Sequence, residues 1–347
     1  MVWEWTPPTR DRLARFLERH GLTDGAIETT SIGDGHSNLT FLVTDAAHRV
    51  IVRRPPPPPT PRGANDMLRE ARFMAALGDT PVPVPSILAT AEAGEVLDVP
   101  FYVMSVADGP VVTTLTPAPL DSPTARRQIG EDLIDTMAAL HAVDWRAGGL
   151  EGAGRPEGFN ARHLRSLSRL NADPEGSSPA GFEIIERWLG DNVPAESGAT
   201  IVHNDYRIGN VVLAPDSPGR VRAVLDWELA TLGDPLFDLG YFLSSIPQPG
   251  EPLTPTEQLG TAMLEEGYPT RAELAQRYAR ATGRDLSNLG WYSAMALWKL
   301  AVLYEYGRRR AAAGEGDAYY ADSTQVTRFL DAAHRSAGLP PLRTESP

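Results

Sequence analysis

The apolar pattern changes period once along the chain, near Asp108-Gly109, and that change constrains the fold more than any other feature. Before it, short β-branched or alternating runs at 28–32, 38–43 and 49–53 are split by Gly33-Asp34-Gly35 and Asp45-Ala46-Ala47-His48. That is the pattern of a three-stranded antiparallel meander. A short helix at 9–20, with Leu13, Phe16 and Leu17 on one face, precedes it. A proline tract at 55–59 cannot donate to a ladder and reads as an extended loop. A helix at 66–77, stopped by Gly78, and strands at 86–91 and 101–106 complete this half. Beyond Asp108-Gly109 the periodicity is helical. Ser122-Pro123 opens a helix to His141, with proline at the first helical position. Further helices are expected at 182–189 and 294–313, and Thr254 with Glu257 and Thr270 with Glu273 fit capping boxes. Strands at 210–213 and 221–227 interrupt them. The expectation is an α+β, bilobal chain: a sheet-plus-helix N-lobe over 1–107 and a larger, mainly helical C-lobe over 108–347.

Composition narrows the function classes. The chain has 45 acidic and 32 basic residues, a net charge of −13, which argues against nucleic-acid or anionic-membrane partners because both need clustered Lys/Arg. With no cysteine, disulfides, thiolate zinc sites and thiol nucleophiles fall away. No signal peptide or membrane-spanning run is legible, so a cytoplasmic protein is expected. Lys299 is the single lysine.

The densest chemistry lies in His203-Asn204-Asp205-Tyr206-Arg207-Ile208-Gly209-Asn210, followed sixteen residues later by Asp226. An apolar run, then polar residues, then a strand describes a loop at a sheet edge, where catalytic groups are commonly displayed. Three oxygen donors, on Asp205, Asn210 and Asp226, suit a hard dication such as Mg²⁺. A further carboxylate beside a metal–phosphate site can take the proton of an attacking hydroxyl. Taken singly, each is an ordinary turn residue, and His203 an ordinary core histidine.

Together these residues resemble the aminoglycoside phosphotransferase and choline kinase-like family, relatives of the protein kinases. The family's H-x-D-x-x-x-x-N loop is matched by His203, Asp205 and Asn210. Its metal aspartate in an apolar strand followed by G-D-P-x-x-D-L is matched by Val224-Leu225-Asp226-Trp227-Glu228 and Gly233-Asp234-Pro235-Leu236-Phe237-Asp238-Leu239. The resemblance covers about residues 25–310 and implies a protein-kinase-like fold. It implies Asp205 as the base, with His203 and Arg207 in the same catalytic loop, and Asn210 and Asp226 as holders of Mg²⁺. It also implies a nucleotide, ATP or GTP, met by Gly33, Gly35, Ser37 and Asn38 in a phosphate-covering turn. Glu70 would orient the strand-three cation, and Met104 and Val106 would lie at the hinge beside the purine. Asp234 and Asp238 would cap the following helix and anchor the loop.

One departure is plain. The family usually has lysine on strand three, but here the strand reads Ile51-Val52-Arg53-Arg54, which leaves Arg53 as the aligned cation. Arginine grips phosphate with different geometry and reach. The Val-Arg-Arg-Pro-Pro run, with Ser37-Asn38-Leu39-Thr40, resembles a subgroup whose kinase-like domain also occurs joined to acyl-CoA dehydrogenases. The implied activity is γ-phosphate transfer to a hydroxyl of a small molecule, either an aminoglycoside-like antibiotic or a hydroxylated metabolite such as a hydroxyacyl compound. Acids in the C-lobe, Glu265, Glu266, Glu305, Glu315 and Asp317, could attract a cationic drug or be solvated helix faces. A nucleotide-binding pseudokinase and a metal-dependent hydrolase stay open as alternatives.

Overall fold

The computed structural model describes residues 5–32, 38–56, 65–173, 176–179, 181–216 and 219–342. Helix α1 (Pro7–Arg19) leads into strands β1 (Glu28–Ile32), β2 (Leu39–Thr44) and β3 (Arg49–Arg54), then helix α2 (Met67–Leu77) and strands β4 (Ile87–Ala91) and β5 (Phe101–Ser105). The five strands form one antiparallel sheet in the order β1-β2-β3-β5-β4. Side chains alternate across it. Val50, Val52, Phe101 and Val103 pack against Leu13, Phe16 and Leu17 of α1. Ile51, Tyr102 and Met104 point the other way, into a core shared with α2 and the helical lobe. Arg53 follows Ile51 by two residues and therefore lies on this second face, whereas Arg54 is buried on the first, its guanidinium on the Pro55 carbonyl.

The larger part holds α3 (Pro123–Ala142), α4 (Phe159–Asn171), α5 (Glu183–Asp191), α6 (Pro235–Ser245), the short α7 (Pro255–Gln258), α8 (Arg271–Thr282), α9 (Leu289–Ala312) and α10 (Ser323–Ser336). Two small antiparallel pairs sit among them: β6 (Thr200–Val202) with β9 (Thr231–Gly233), and β7 (Val211–Leu213) with β8 (Val221–Val224). The bilobal, protein-kinase-like α+β architecture is the one expected. Ser122 caps α3 ahead of proline, and both capping boxes form. Four elements had no expectation: α4, α10 and the two strands of the β6–β9 pair. The apolar stripe of α10, Val326, Phe329, Leu330 and Ala333, was legible at helical spacing. The three-residue strands β6 and β9 were not, because such short runs carry no period.

Two features place the site. Every residue of α6 is buried, and Gly240 lets α9 come close, since a Cβ there would sit 2.7 Å from the Tyr292 carbonyl carbon. Lys299, two turns further along α9, thereby reaches beneath the 203–210 loop. From α2, Arg69 reaches across to the Ala230 and Ala153 carbonyls and ties the small lobe to the large one.

Candidate active site

The 203–210 loop leaves β6 and is fastened from below by α6. Asp234 caps α6 by accepting the Leu236 amide and also accepts from Ser197, Asn160 and Tyr292. One turn later Asp238, fully buried, accepts the backbone amides of His203 at 2.6 Å and Asn204 at 2.7 Å. Burial by itself would raise this carboxyl. The His141 ring, 3.3 Å away, and the loop amide outweigh burial and hold it below its ordinary value. Asn204 adopts φ +66°, a left-handed conformation that asparagine tolerates better than most residues. Its side chain donates to the Leu229 carbonyl.

His203 has no solvent exposure. Its Nε2 lies 2.8 Å from the Leu225 carbonyl, which can only accept, and its Nδ1 accepts the Asp205 amide at 3.2 Å. This pattern defines a neutral ring protonated at Nε2. The ring rests on Trp227, 4.7 Å between centroids.

Asp205 projects from this frame with its carboxylate one-fifth exposed. Asn210 donates to Oδ2 at 2.7 Å, and the Tyr241 hydroxyl donates to Oδ1. The Arg207 guanidinium approaches Oδ1 at 3.6 Å. Asn210 closes a short 3-10 turn just before β7, and the Leu225 amide donates to its carbonyl at 2.8 Å, which brings Asp226 alongside. Asp226 is in the left-handed region at φ +65° with its side chain about one-third exposed. No group of three or more His, Asp or Glu fit for a metal cage occurs among the described residues. The donors at Asn210 and Asp226 are hard oxygens on adjacent strand ends, a set that suits Mg²⁺, which leaves most of its positions to water and phosphate.

Arg53 joins the lobes. One guanidinium nitrogen is 2.8 Å from Glu70, and the other is 2.5 Å from Asp226 and 3.8 Å from Glu228. Glu70 stands on the α2 face with Met67, Ala71 and Met74 and is almost wholly buried. Burial raises its carboxyl, and the Arg53 guanidinium opposes that shift. Asn38 donates to Glu228 at 2.9 Å and accepts from Asn65. Met104, on β5 between Ile51 and Ile87, is buried and Val106 half-buried, both on the route to the second lobe. Gly33, Gly35 and Ser37 lie outside the described residues. The structure thus brings Asp205, His203, Arg207, Asn210, Asp226, Arg53, Glu70 and Asn38 together.

Sequence reasoning missed three contributors. Tyr241 lies one helical turn after Asp238, on the same face of α6, and that spacing was the available signal. His141 and Lys299 carried none: each arrives from a distant helix. The Lys299 ammonium donates to the Asn204 carbonyl at 3.0 Å.

Comparisons with known proteins bear on the family and the fold. The chain is 27% identical over 311 residues to acyl-CoA dehydrogenase family member 10 of Mus musculus, covering 88% of this chain and 29% of that protein. It is 31% identical over 300 residues to acyl-CoA dehydrogenase family member 11 of Rattus norvegicus, covering 83% and 38%. The chain therefore spans about a third of the length of the curated relatives it matches. Among solved structures, a Ralstonia eutropha protein provisionally assigned as an aminoglycoside phosphotransferase superposes with a TM-score of 0.79 at 28% identity, over 94% of this chain and 98% of that one. A thermostable aminoglycoside phosphotransferase, solved with AMP-PNP and hygromycin B, shares the fold at a TM-score of 0.60 and 17% identity, over 93% and 98%. The sequence pattern of the phosphotransferase enzyme family matches residues 28–292, from β1 to the first turn of α9, and the chain belongs to that family.

Proposed function

We propose that the protein is an ATP- and Mg²⁺-dependent phosphotransferase that moves the γ-phosphate to a hydroxyl of a small molecule. The observation that carries this reading is the Asp205 carboxylate, held by Asn210 and Tyr241 beside Asp226 and left accessible at the lobe junction. Asp205 orients the acceptor hydroxyl and takes its proton late, as a loose phosphoryl-transfer transition state requires. Asn210 and Asp226 are the residues that hold Mg²⁺, whose contribution is to neutralise charge on the transferred phosphate. Arg53, steadied by Glu70, faces the α- and β-phosphates, a reading supported by its bond to Asp226, one of the proposed Mg²⁺ holders. His203 is a brace, since both ring nitrogens are committed to backbone. The family resemblance assigns the phosphate cover to Gly33, Gly35, Ser37 and Asn38, and the purine of ATP or GTP to backbone at Met104–Val106. A structural relative with 17% identity holds AMP-PNP, which supports a nucleotide here.

For the acceptor we favour a hydroxylated metabolite, such as a hydroxyacyl compound, over a cationic aminoglycoside. Glu265 is bound by Arg126 at 2.7 Å and Glu305 by Arg308 at 2.7 Å, so these acids are already neutralised. Arg207 places a cation beside Asp205, and the curated relatives are acyl-CoA dehydrogenase family members.

The test is ADP release from Mg-ATP against a panel of hydroxyacyl compounds, sugars, choline-like amines, macrolides and aminoglycosides. Release that depends on one acceptor class and vanishes in Asp205→Asn is expected. Release equal with and without every acceptor would instead mark a hydrolase. Nucleotide binding without any release would favour the pseudokinase reading, for which the Arg53–Asp226 bond is the supporting observation.

A further inference from the structure

Lys299 is the one lysine in 347 residues, and its surroundings are unusual for an ammonium. It is buried in the middle of α9. Nζ donates to the Asn204 carbonyl at 3.0 Å and lies 5.3 Å from the centre of the Phe237 ring and 5.4 Å from that of Tyr241. Both rings belong to α6, and Tyr241 is the residue whose hydroxyl bonds Asp205. The charged groups that face Lys299 are Asp205 from the loop and Asp238 from α6, both favouring the ammonium. From α4, His163 faces it as well, but burial and the ammonium push that ring down to about 3, so it stays neutral near pH 7.

The residue that Lys299 holds has a left-handed backbone. Asn204 at φ +66° has its amide on Asp238, its side chain on Leu229 and its carbonyl on Lys299. The peptide whose carbonyl Lys299 binds is the one that leads into Asp205. A backbone conformation of this kind persists only when its surroundings over-determine it.

We propose that Lys299 is a positioning residue for phosphotransfer: its ammonium, bound to the Asn204 carbonyl and seated between the Phe237 and Tyr241 rings, fixes the peptide from which Asp205 projects, so that losing its charge slackens the base. This rests on reading Asp205 as the base. Burial lowers the Lys299 ammonium to about 8, with Asp205 and Asp238 opposing the shift. Above that pH a neutral amine still donates to the carbonyl but loses its attraction to the two carboxylates and to the ring faces. Turnover is therefore expected to fall on the alkaline side. Stability moves the other way. Between about pH 8 and the ordinary lysine value of 10.5 the unfolded chain binds more protons at this position than the folded one, so folding stability from this group rises with pH. Unfolding as the cause of the activity loss would require the opposite slope.

Because no other lysine exists, lysine-selective ¹³C,¹⁵N labelling of the full chain leaves a single side-chain ammonium to titrate by NMR. We expect a midpoint near 8, and a lower one in Asp205→Asn, where a nearby negative charge is gone. An ordinary midpoint, or one unmoved by Asp205→Asn, overturns the proposal without reference to turnover. With the acceptor found by the panel, or with basal Mg-ATP hydrolysis, Lys299→Met should lower kcat by about ten- to a hundredfold, the loss of one charge-assisted bond, with KM for ATP little changed. Lys299→Arg keeps its charge and should abolish the alkaline fall. An alkaline fall shared by Lys299→Arg and the parent, or an unchanged kcat in Lys299→Met, also overturns the role. If Lys299→Met fails to fold, the arginine variant and the titration decide. A parent protein with no turnover at any pH counts against the phosphotransferase reading, and the midpoint comparison still judges the tie between Lys299 and Asp205.

Discussion

Removing Arg53 as Arg53→Met is expected to produce a stability loss that depends on pH in a particular way. In the parent the guanidinium faces Glu70 at 2.8 Å, Asp226 at 2.5 Å and Glu228 at 3.8 Å. Without it, Asp226 and Glu228 keep partial access to water, whereas Glu70 is almost wholly buried. Breaking a buried pair by deleting one partner costs about 3–5 kcal/mol, because the remaining charge is uncompensated. Glu70 has an escape: it can take a proton. Burial already lifts its carboxyl from 4.5 to about 7 with Arg53 in place, so below pH 7 parent and variant both hold the proton and lose stability alike as pH rises from 4.5. Above pH 7 the parent releases the proton, whereas the variant, without the guanidinium, keeps it, and by pH 8 this costs the variant about 1.4 kcal/mol more than the parent. The loss traceable to Glu70 is therefore small at pH 5 and 6 and grows above 7. Urea denaturation of parent and variant at pH 5, 6, 7 and 8 measures it. Adding Glu70→Gln should remove most of the pH dependence, since no buried charge is then left over. A loss independent of pH, or a double variant as pH-sensitive as the single one, would refute the reasoning.

The other predictions are direct. Asp205→Asn should cut phosphotransfer by about 10²–10⁴, the usual worth of a positioned base, with nucleotide affinity by calorimetry nearly unchanged. Asp226→Ala should weaken nucleotide binding only when Mg²⁺ is present, and equal affinities with and without the metal would contradict its place in the site. Asp238→Asn leaves one buried loop amide without its carboxylate and should cost about 1–3 kcal/mol by denaturant unfolding at pH 7. Because the folded Asp238 carboxyl lies below its ordinary 3.8, its contribution is complete above that value and is lost as pH falls through the lower folded one. The parent–variant difference should narrow in acid.

Local chemistry made much of the fold and the site's inventory legible in the sequence. Ser122-Pro123 and the Thr-x-x-Glu boxes announce helix starts because capping involves residues three apart. The meander could be read because strand alternation and turn residues are also local signals. His203, Asp205, Asn210 and Asp226 stood out as residue types at a spacing, and their order along the chain pointed to the family before any coordinates. Tertiary structure decided what those residues touch. Only the close approach of α9 at Gly240 brings Lys299 under Asn204, 95 residues away in sequence. Only the packing of α3 against β6 and α8 sets His141 on Asp238, and only the approach of the two lobes brings Asp226 onto the Arg53 that Glu70 holds. Contacts of this kind join side chains that have no periodic relation along the chain. A single sequence shows the donors and the carboxylates, and packing selects which donor meets which carboxylate.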